Sequence, residues 1–236
     1  MICRTKTLLL AAAALGLAPA GAWAQDTLFL PERQEVVVHQ HEHGFEVVLG
    51  LYLRVSGIDG ELDPDVPVDY ADLFGGGAGG MLEVSFLWGI EEHWKAGPYI
   101  SFGGDTYDGQ RDVDPFGDSL EADDMDISTV IVGFKGLFPF APFWYGEAHG
   151  GFGVATYHQV DGILRIGGVP QNVVIFEESS VLAFDFGGRI GFHINHFFAE
   201  AGFGLRIQGP PDNGDIAFDS SAPAEFAFEL GAGVRF

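Results

Sequence analysis

Residues 224–236 read AEFAFELGAGVRF, and this stretch at the C-terminus decides the fold. Phe226 and Phe228 alternate with Glu225 and Glu229, so apolar and acidic side chains would point to opposite faces of an extended chain. A period of two residues is typical of a β-strand with one apolar and one polar face. The sequence therefore predicts that the chain ends in such a strand.

The same alternation occurs in seven segments upstream, while Gly falls too often for long helices. Each segment is long enough to cross a bilayer as a tilted strand. The eight predicted strands are 45–56, 80–88, 94–104, 127–138, 143–157, 181–194, 197–207 and 224–236.

The connections between these segments alternate strictly between short and long. The short ones are 89–93, 139–142 and 195–196, and the long ones are 57–79, 105–126, 158–180 and 208–223. Short periplasmic turns and longer outside loops are typical of an up-and-down antiparallel transmembrane β-barrel. The aromatic residues beside the short turns fit a girdle at one membrane interface: Trp88, Trp94, Phe138, Phe140, Phe143, Trp144, Phe192, Phe197, Phe198 and Phe236.

The last eight residues carry a motif in which Glu229 and Gly231 precede an apolar Val234 and a terminal Phe236. This motif resembles the C-terminal assembly signal of bacterial outer-membrane β-barrels. Over residues 45–236 the chain is similar to the small eight-stranded barrels of the OmpA-domain, OmpX and OmpW type. The resemblance implies an outer-membrane location, contact with outer-membrane lipid and lipopolysaccharide, and insertion by the barrel-assembly machinery.

The first residues have the pattern of a secretory signal peptide. Arg4 and Lys6 precede the apolar run Leu8–Leu17, and Ala22-Trp23-Ala24 supplies a cleavage site before Gln25. The alternative is a membrane anchor, but about ten apolar residues are too few for a span that needs about 20. We expect a signal peptide at 1–24, a periplasmic lead-in at 25–44 and the barrel at 45–236.

Composition excludes several classes of function. The formal net charge of −23 does not suit nucleic acid, because phosphate binding needs a basic surface. The single cysteine, Cys3, lies in the predicted signal peptide, so the mature chain would have neither disulfides nor thiolate metal sites.

Charged residues on the predicted inner faces are nearly balanced in sign, which favours a paired network that fills a narrow lumen. An eight-stranded barrel has room only for its own side chains, so a large-solute porin is excluded. The alternative is a gated path for ions or small solutes. The inner acids are Glu46, Glu83, Glu147, Asp185, Glu200, Glu225 and Glu229, and the inner bases are Arg54, Lys95, Lys135, Arg189, Arg206 and Arg235.

The long loops are acidic, and two interpretations stay open for them. They could form a solvated outer surface, or they could bind Ca²⁺ or Mg²⁺, which prefer oxygen ligands, and so bridge to lipopolysaccharide phosphates. The densest candidate ligands are Asp112, Asp114, Asp118, Glu121, Asp123, Asp124 and Asp126.

Two further segments suggest contacts outside the membrane. His39, His41 and His43 would share one face of an extended chain, as a weak Zn²⁺ or Cu²⁺ site or as a polar lead-in. The loop 158–180 is apolar enough to extend strands five and six as a hairpin around Gly167-Gly168, which either packs on itself or offers an edge to a partner.

Nothing in the sequence places a nucleophile beside a general base. His149 lies near Glu147, and His158 lies near Asp161, but no serine is close to either histidine in sequence. We therefore expect a non-catalytic outer-membrane barrel with a charge-plugged interior and acidic extracellular loops, which serves envelope integrity or surface interaction. A narrow channel is the alternative, and a lipid-modifying enzyme is a third.

Overall fold

The structure is a computed structural model that describes residues 45–63, 68–91, 94–113 and 117–236. Outside these residues lie the predicted signal peptide and lead-in, with His39, His41 and His43, and also Asp114.

Eight long antiparallel strands close into a barrel in the order β1-β14-β13-β12-β9-β8-β5-β4. The barrel strands are β1 (Phe45–Asp59), β4 (Phe74–Glu91), β5 (Trp94–Gly109), β8 (Met125–Ala141), β9 (Trp144–Tyr157), β12 (Ser179–Ile194), β13 (Phe197–Gln208) and β14 (Ala224–Arg235). The prediction of an all-β, eight-stranded barrel is confirmed. Among the described residues, no helix is long and apolar enough to cross a membrane.

The C-terminal strand closes the barrel against the first strand. The pairing of β14 with β1 runs from Val48 opposite Arg235 to Asp59 opposite Ala224. Phe236 continues it, since its N–H donates to the Val47 carbonyl at 3.0 Å and its own carbonyl accepts from the Val47 N–H at 3.2 Å. The terminal aromatic residue therefore lies at the seam.

Several barrel strands extend further toward the long loops than the alternation predicted. β4 begins at Phe74 instead of residue 80, and β5 continues to Gly109 instead of residue 104. Cross-strand pairing continues above the apolar band, where glycines and polar residues hide the period of two. The assignment of Asp105 to an outer loop was therefore wrong, because it lies in β5 and is buried.

The long loops fold into ordered elements of their own. Four short strands form a second sheet in the order β11-β10-β7-β6, and β2 pairs with β3 beside a one-turn helix. The hairpin predicted around Gly167-Gly168 is present, and it continues the pairing of β9 with β12, because Val160 opposite Phe176 keeps the register of Tyr157 opposite Ser179. Its first strand also pairs with β7 in the second sheet. The elements are β2 (Glu61–Asp63), β3 (Val68–Asp69), α1 (Tyr70–Leu73), β6 (Arg111–Val113), β7 (Ser119–Ala122), β10 (Val160–Ile166) and β11 (Val169–Phe176).

An outer apolar cluster covers the long-loop end of the lumen. Phe176 lies at its centre, with ring centroids 6.1 Å from Tyr70, 6.1 Å from Phe74 and 6.0 Å from Phe218. Burial raises the pKa of the Tyr70 phenol well above its ordinary range, so this hydroxyl stays neutral. The cluster also contains Ile58, Leu62, Leu73, Tyr107, Ala122, Met125, Ile127, Tyr157, Val160 and Ile175, and it continues down the barrel wall to Tyr99, Ile131, Ala155 and Ala183.

An inner apolar cluster lies at the opposite, short-turn end of the lumen. It consists of Val48, Leu87, Leu137, Tyr145 and Phe198, all of them nearly inaccessible. Phe198 was predicted to belong to the lipid-facing girdle. That prediction was wrong, because the alternation of β13 points Phe197 outward and Phe198 into the lumen.

Candidate functional site

The barrel interior between the two apolar clusters is filled with charged side chains. The alternation of each strand turns them inward, and those of the central layers are almost completely buried. Buried charges are tolerated only with close partners of opposite sign, because desolvation of a lone charge costs several kcal/mol. The partners of each group therefore decide what this interior can do.

The layer nearest the long loops is built around two arginines. Arg54 contacts Asp105, and it donates to Glu225 at 2.6 Å and to Glu229 at 3.2 Å. Arg206 lies 3.0 Å from Glu225 and 3.4 Å from Asp105. Sequence reasoning missed Asp105, although a strand long enough to reach it would have included it on the inner face.

The next layer joins Arg189 and Lys135 through shared carboxylates. Arg189 donates to Glu147 at 2.7 Å, to Glu229 at 2.8 Å and to Glu83 at 3.2 Å. Lys135 lies 2.5 Å from Glu83 and 3.0 Å from Glu147. Since Glu229 also binds Arg54, the two layers form one connected network.

Glu200 is held differently, by two phenols. Tyr52 and Tyr145 donate to its two oxygens at 2.7 Å and 2.5 Å. The guanidinium of Arg189 lies 4.0 Å from the centre of the Tyr52 ring, a cation–π contact. Gly231 makes room for this ring, because a Cβ there would lie 2.2 Å from Tyr52 Cδ1.

His149 lies between two carboxylates of the same interior. Its Nδ1 is 3.4 Å from Glu147 Oε1, and its Nε2 is 3.6 Å from Asp185 Oδ2. Asp185 Oδ1 is also 3.5 Å from Arg206, so it links the imidazole to the arginine layer.

Three residues of the predicted network lie apart from it, at the short-turn end. Lys95 pairs with Glu46, and both side chains are partly exposed. The Arg235 guanidinium lies 4.3 Å from the centre of the Tyr145 ring and 5.2 Å from that of Phe198. These residues lie at the level of the inner apolar cluster, since Glu46, Lys95 and Arg235 are opposite Leu87, Leu137 and Val48.

This separation changes the charge balance that the sequence suggested. With Lys95, Arg235 and Glu46 set apart and Asp105 added, the central network has four cations and seven carboxylates. The cations are Arg54, Lys135, Arg189 and Arg206, and the carboxylates are Glu83, Asp105, Glu147, Asp185, Glu200, Glu225 and Glu229. The interior is therefore acidic, although most of its charges are paired.

The acidic loop residues are dispersed over the outer elements, where several bind backbone or side-chain groups. Asp124 accepts from the Gly109 N–H, Asp118 accepts from the Gly167 N–H, and Glu121 pairs with Arg165 at 3.0 Å. Within residues 45–63, 68–91, 94–113 and 117–236, no three His, Cys, Asp or Glu side chains are grouped to hold a metal ion. Ca²⁺ or Mg²⁺ binding by these loops stays a prediction.

The structure also brings a serine to one of the histidines. Ser128 Oγ lies 3.1 Å from His158 Nε2 on the outside of the barrel, although the two are 30 residues apart in sequence. Sequence reasoning considered only near neighbours of each histidine and therefore missed this pair. It could have been found by aligning the outward positions of β8 with those of β9 and the residue that follows β9.

The distribution of polarity in the barrel is the reverse of that in a soluble protein, because the residues exposed on its outer face are large and apolar. Leu53, Phe203 and Phe226 are exposed by 68%, 69% and 60%, whereas Arg54 and Arg206 are buried inside. Trp88 and Trp94 lie exposed beside a short turn, as interfacial aromatic residues do. The chain is a closed eight-stranded β-barrel with the outer face of a membrane-spanning barrel.

No protein-family model and no curated protein matches the sequence. Among solved structures, the chain is similar to the attachment invasion locus protein Ail of Yersinia pestis, with 16% identity, 81% of this chain and 99% of that chain covered, and a TM-score of 0.40. It is also similar to the outer-membrane protease OmpT from Escherichia coli. The two are 7% identical, the match covers 81% of this chain and 96% of that chain, and the TM-score is 0.45. A third similar structure is the outer-membrane protein OprG from Pseudomonas aeruginosa. The two are 12% identical, the match covers 83% of this chain and 97% of that chain, and the TM-score is 0.39.

Proposed function

We propose that this barrel is a non-conducting outer-membrane protein that serves envelope integrity or surface interaction. The observation that carries the proposal is the filled interior. Arg54, Arg189 and Arg206 each contact two or more carboxylates, and their side chains are almost wholly buried. A hydrated ion would have to separate several of these contacts at once, at a cost of several kcal/mol for each stranded charge.

The two apolar clusters support the same proposal. Phe176 and its neighbours cover one end of the network, and Leu87, Leu137 and Phe198 cover the other. An ion that approached from either side would lose hydration water before it reached a compensating charge. Apolar layers at both ends favour a closed barrel over a charged pore.

The outer elements would supply the surface that interacts. Exposed carboxylates on it include those of Asp72, Asp123, Asp161 and Asp215. Negative groups on this surface would repel lipopolysaccharide phosphates unless divalent cations lie between them. We therefore retain lipopolysaccharide, bridged by Ca²⁺ or Mg²⁺, as the proposed outer partner, and the barrel-assembly machinery as the partner during insertion.

Single-channel recording in planar lipid bilayers tests the proposal. Purified protein should insert without current steps at moderate voltage. Arg54→Ala and Arg189→Ala, which remove the centres of the two layers, should be more conductive than the parent. Reproducible steps from the unmodified protein would contradict the closed interior.

One observation favours a narrow channel as the second candidate. The central network has more carboxylates than cations, and one oxygen of Asp105 has no hydrogen-bond partner within the described residues. A channel lined in this way would select cations. Reversal potentials in a salt gradient would show this selectivity if the parent protein conducts.

A further inference from the structure

A hydroxyl and an imidazole meet on the outside of the barrel, in a surface pocket of about 320 Å³. Ser128 Oγ lies 3.1 Å from His158 Nε2, within hydrogen-bond distance. Gly104, Thr106 and Asp126 line the same pocket. This site is separate from the charged interior, because the side chains of Ser128 and His158 are exposed outside the barrel wall.

The register of the strands brings an acid to the same face. Asp126 and Ser128 are two residues apart on β8, and both are exposed on its outer side. The His158 N–H donates to the Asp126 carbonyl at 3.0 Å, which extends the β8–β9 ladder by one pair. Residues directly opposite in an antiparallel pair have Cβ atoms about 4.5–5.5 Å apart. The Asp126 carboxylate accepts from Thr106 Oγ1 and forms no ion pair with the His158 imidazole, so it is a negative charge on the same face and not a partner of the ring.

The remaining neighbours leave the serine accessible. Ser128 is opposite Gly104 on β5, which has no side chain to cover it. A Thr106 hydroxyl donates to Asp126 at 2.5 Å and fixes that carboxylate on the outer face. A nucleophile, a base and an acid from two adjacent strands thus share one open patch.

The patch lies where the outer surface changes from apolar to polar. The next outward-facing position on β8 toward the short turns is Val130, and it is flanked by Phe102 and Val154 on the neighbouring strands. All three residues are exposed and apolar. The next outward-facing position toward the long loops is Asp126, and it is flanked by Thr106 and His158. In a barrel whose long loops face outward, this boundary is at the headgroup level of the outer leaflet. Lipids carry their ester bonds at that level, with acyl chains on the apolar side.

We propose that Ser128, His158 and Asp126 form a hydrolytic site for acyl esters of outer-leaflet lipids. The Ser128 hydroxyl gives its proton to His158 Nε2 as its oxygen bonds to the ester carbonyl carbon. The carbon–oxygen bond to the alcohol then breaks, and the alcohol leaves with the proton from the imidazole. Water, deprotonated by the same imidazole, attacks the carbonyl carbon of the acyl-serine. The bond to Ser128 Oγ then breaks, Ser128 takes the proton back from the imidazole, and a fatty acid is released. The Asp126 carboxylate on the same face stabilises the imidazolium by its nearby negative charge and does not hold the ring.

The chain offers a matched control on the same rim. Thr156 Oγ1 and Ser180 Oγ lie 2.9 Å apart on β9 and β12, and Ser180 is exposed. This serine has a hydroxyl partner in place of an imidazole. Its reactivity measures what an ordinary rim hydroxyl does in the same barrel.

The first test uses a fluorophosphonate probe on the whole protein in vesicles of phosphatidylethanolamine and phosphatidylglycerol, with release of fatty acid followed by mass spectrometry. Labelling and release should be lost in Ser128→Ala and should fall roughly tenfold or more in His158→Asn, since general-base catalysis contributes about 10²–10⁴. Ser180→Ala should behave as the parent. Absence of labelling in the parent, or equal labelling in Ser128→Ala, would overturn the proposal.

A second test needs no substrate. Because Cys3 is the only cysteine and lies in the predicted signal peptide, Ser128→Cys and Ser180→Cys each introduce a single thiol into the mature chain. Iodoacetamide should alkylate the first variant faster at neutral pH, and His158→Asn should remove the difference. Asp126→Asn should shift the pH profile of that alkylation. Equal rates and profiles for both thiols would refute an activating imidazole.

Discussion

Replacement of Arg189 by alanine is the most direct test of the interior network. Its guanidinium binds Glu147, Glu229 and Glu83 at 2.7, 2.8 and 3.2 Å, and its side chain is 1% exposed. Removal of one partner from a buried ion pair costs about 3–5 kcal/mol, because the other charge is left without compensation. We expect Arg189→Ala to lower the free energy of unfolding by about that amount.

Arg165→Ala supplies the matched control. Arg165 pairs with Glu121 at 3.0 Å in the outer sheet, where the two side chains are 31% and 46% exposed. Solvent screens such a pair, and its loss costs about 0–1 kcal/mol. The two variants remove the same side chain and differ in burial and in number of partners.

Guanidinium-induced unfolding of the barrel from phospholipid vesicles would measure both variants. Trp88, Trp94 and Trp144 are exposed beside the short turns, so their fluorescence should change as they leave the lipid interface. The double variant Arg189→Ala/Glu147→Gln should be less destabilised than the sum of its single variants, by about 0.5–3 kcal/mol, since it removes one stranded carboxylate. An Arg189→Ala loss no larger than that of Arg165→Ala would refute the reasoning.

Three other outcomes are expected. Gly153→Ala should prevent assembly, because its Cβ would lie 1.9 Å from the Val130 carbonyl oxygen, whereas Gly146→Ala, with nothing within 4 Å, should assemble normally, as judged by the folded fraction in membranes. Deletion of Phe236 should slow insertion in an assembly time course, because it removes the two hydrogen bonds to Val47; an unchanged rate would contradict its role at the seam. Calorimetry should detect weak Ca²⁺ or Mg²⁺ binding at millimolar concentrations, and a flat titration would exclude it.

The pattern of alternation was enough to predict the barrel, and the reason is physical. A strand between lipid and lumen must change polarity at every residue. The alternation in segments such as 45–56 and 224–236 therefore predicts both that they are strands and which of their residues face the lipid. Short turns at 195–196 and long loops such as 158–180 then determine the up-and-down order. The predicted strand ends were less accurate, because strand pairing continues above the membrane, where alternation of polarity is no longer required.

The sequence by itself determined the inward face of most charged residues, with Asp105 missed at a strand end, but only the tertiary structure decided which of them meet. Arg54 and Glu229 are 175 residues apart, and Ser128 and His158 are 30 apart. Such distances close only when the register of neighbouring strands and the closure of β14 on β1 are fixed. The period of two residues predicts which face a side chain occupies, but it does not predict the position of the residue along the barrel axis. Pairing between two charges depends on both.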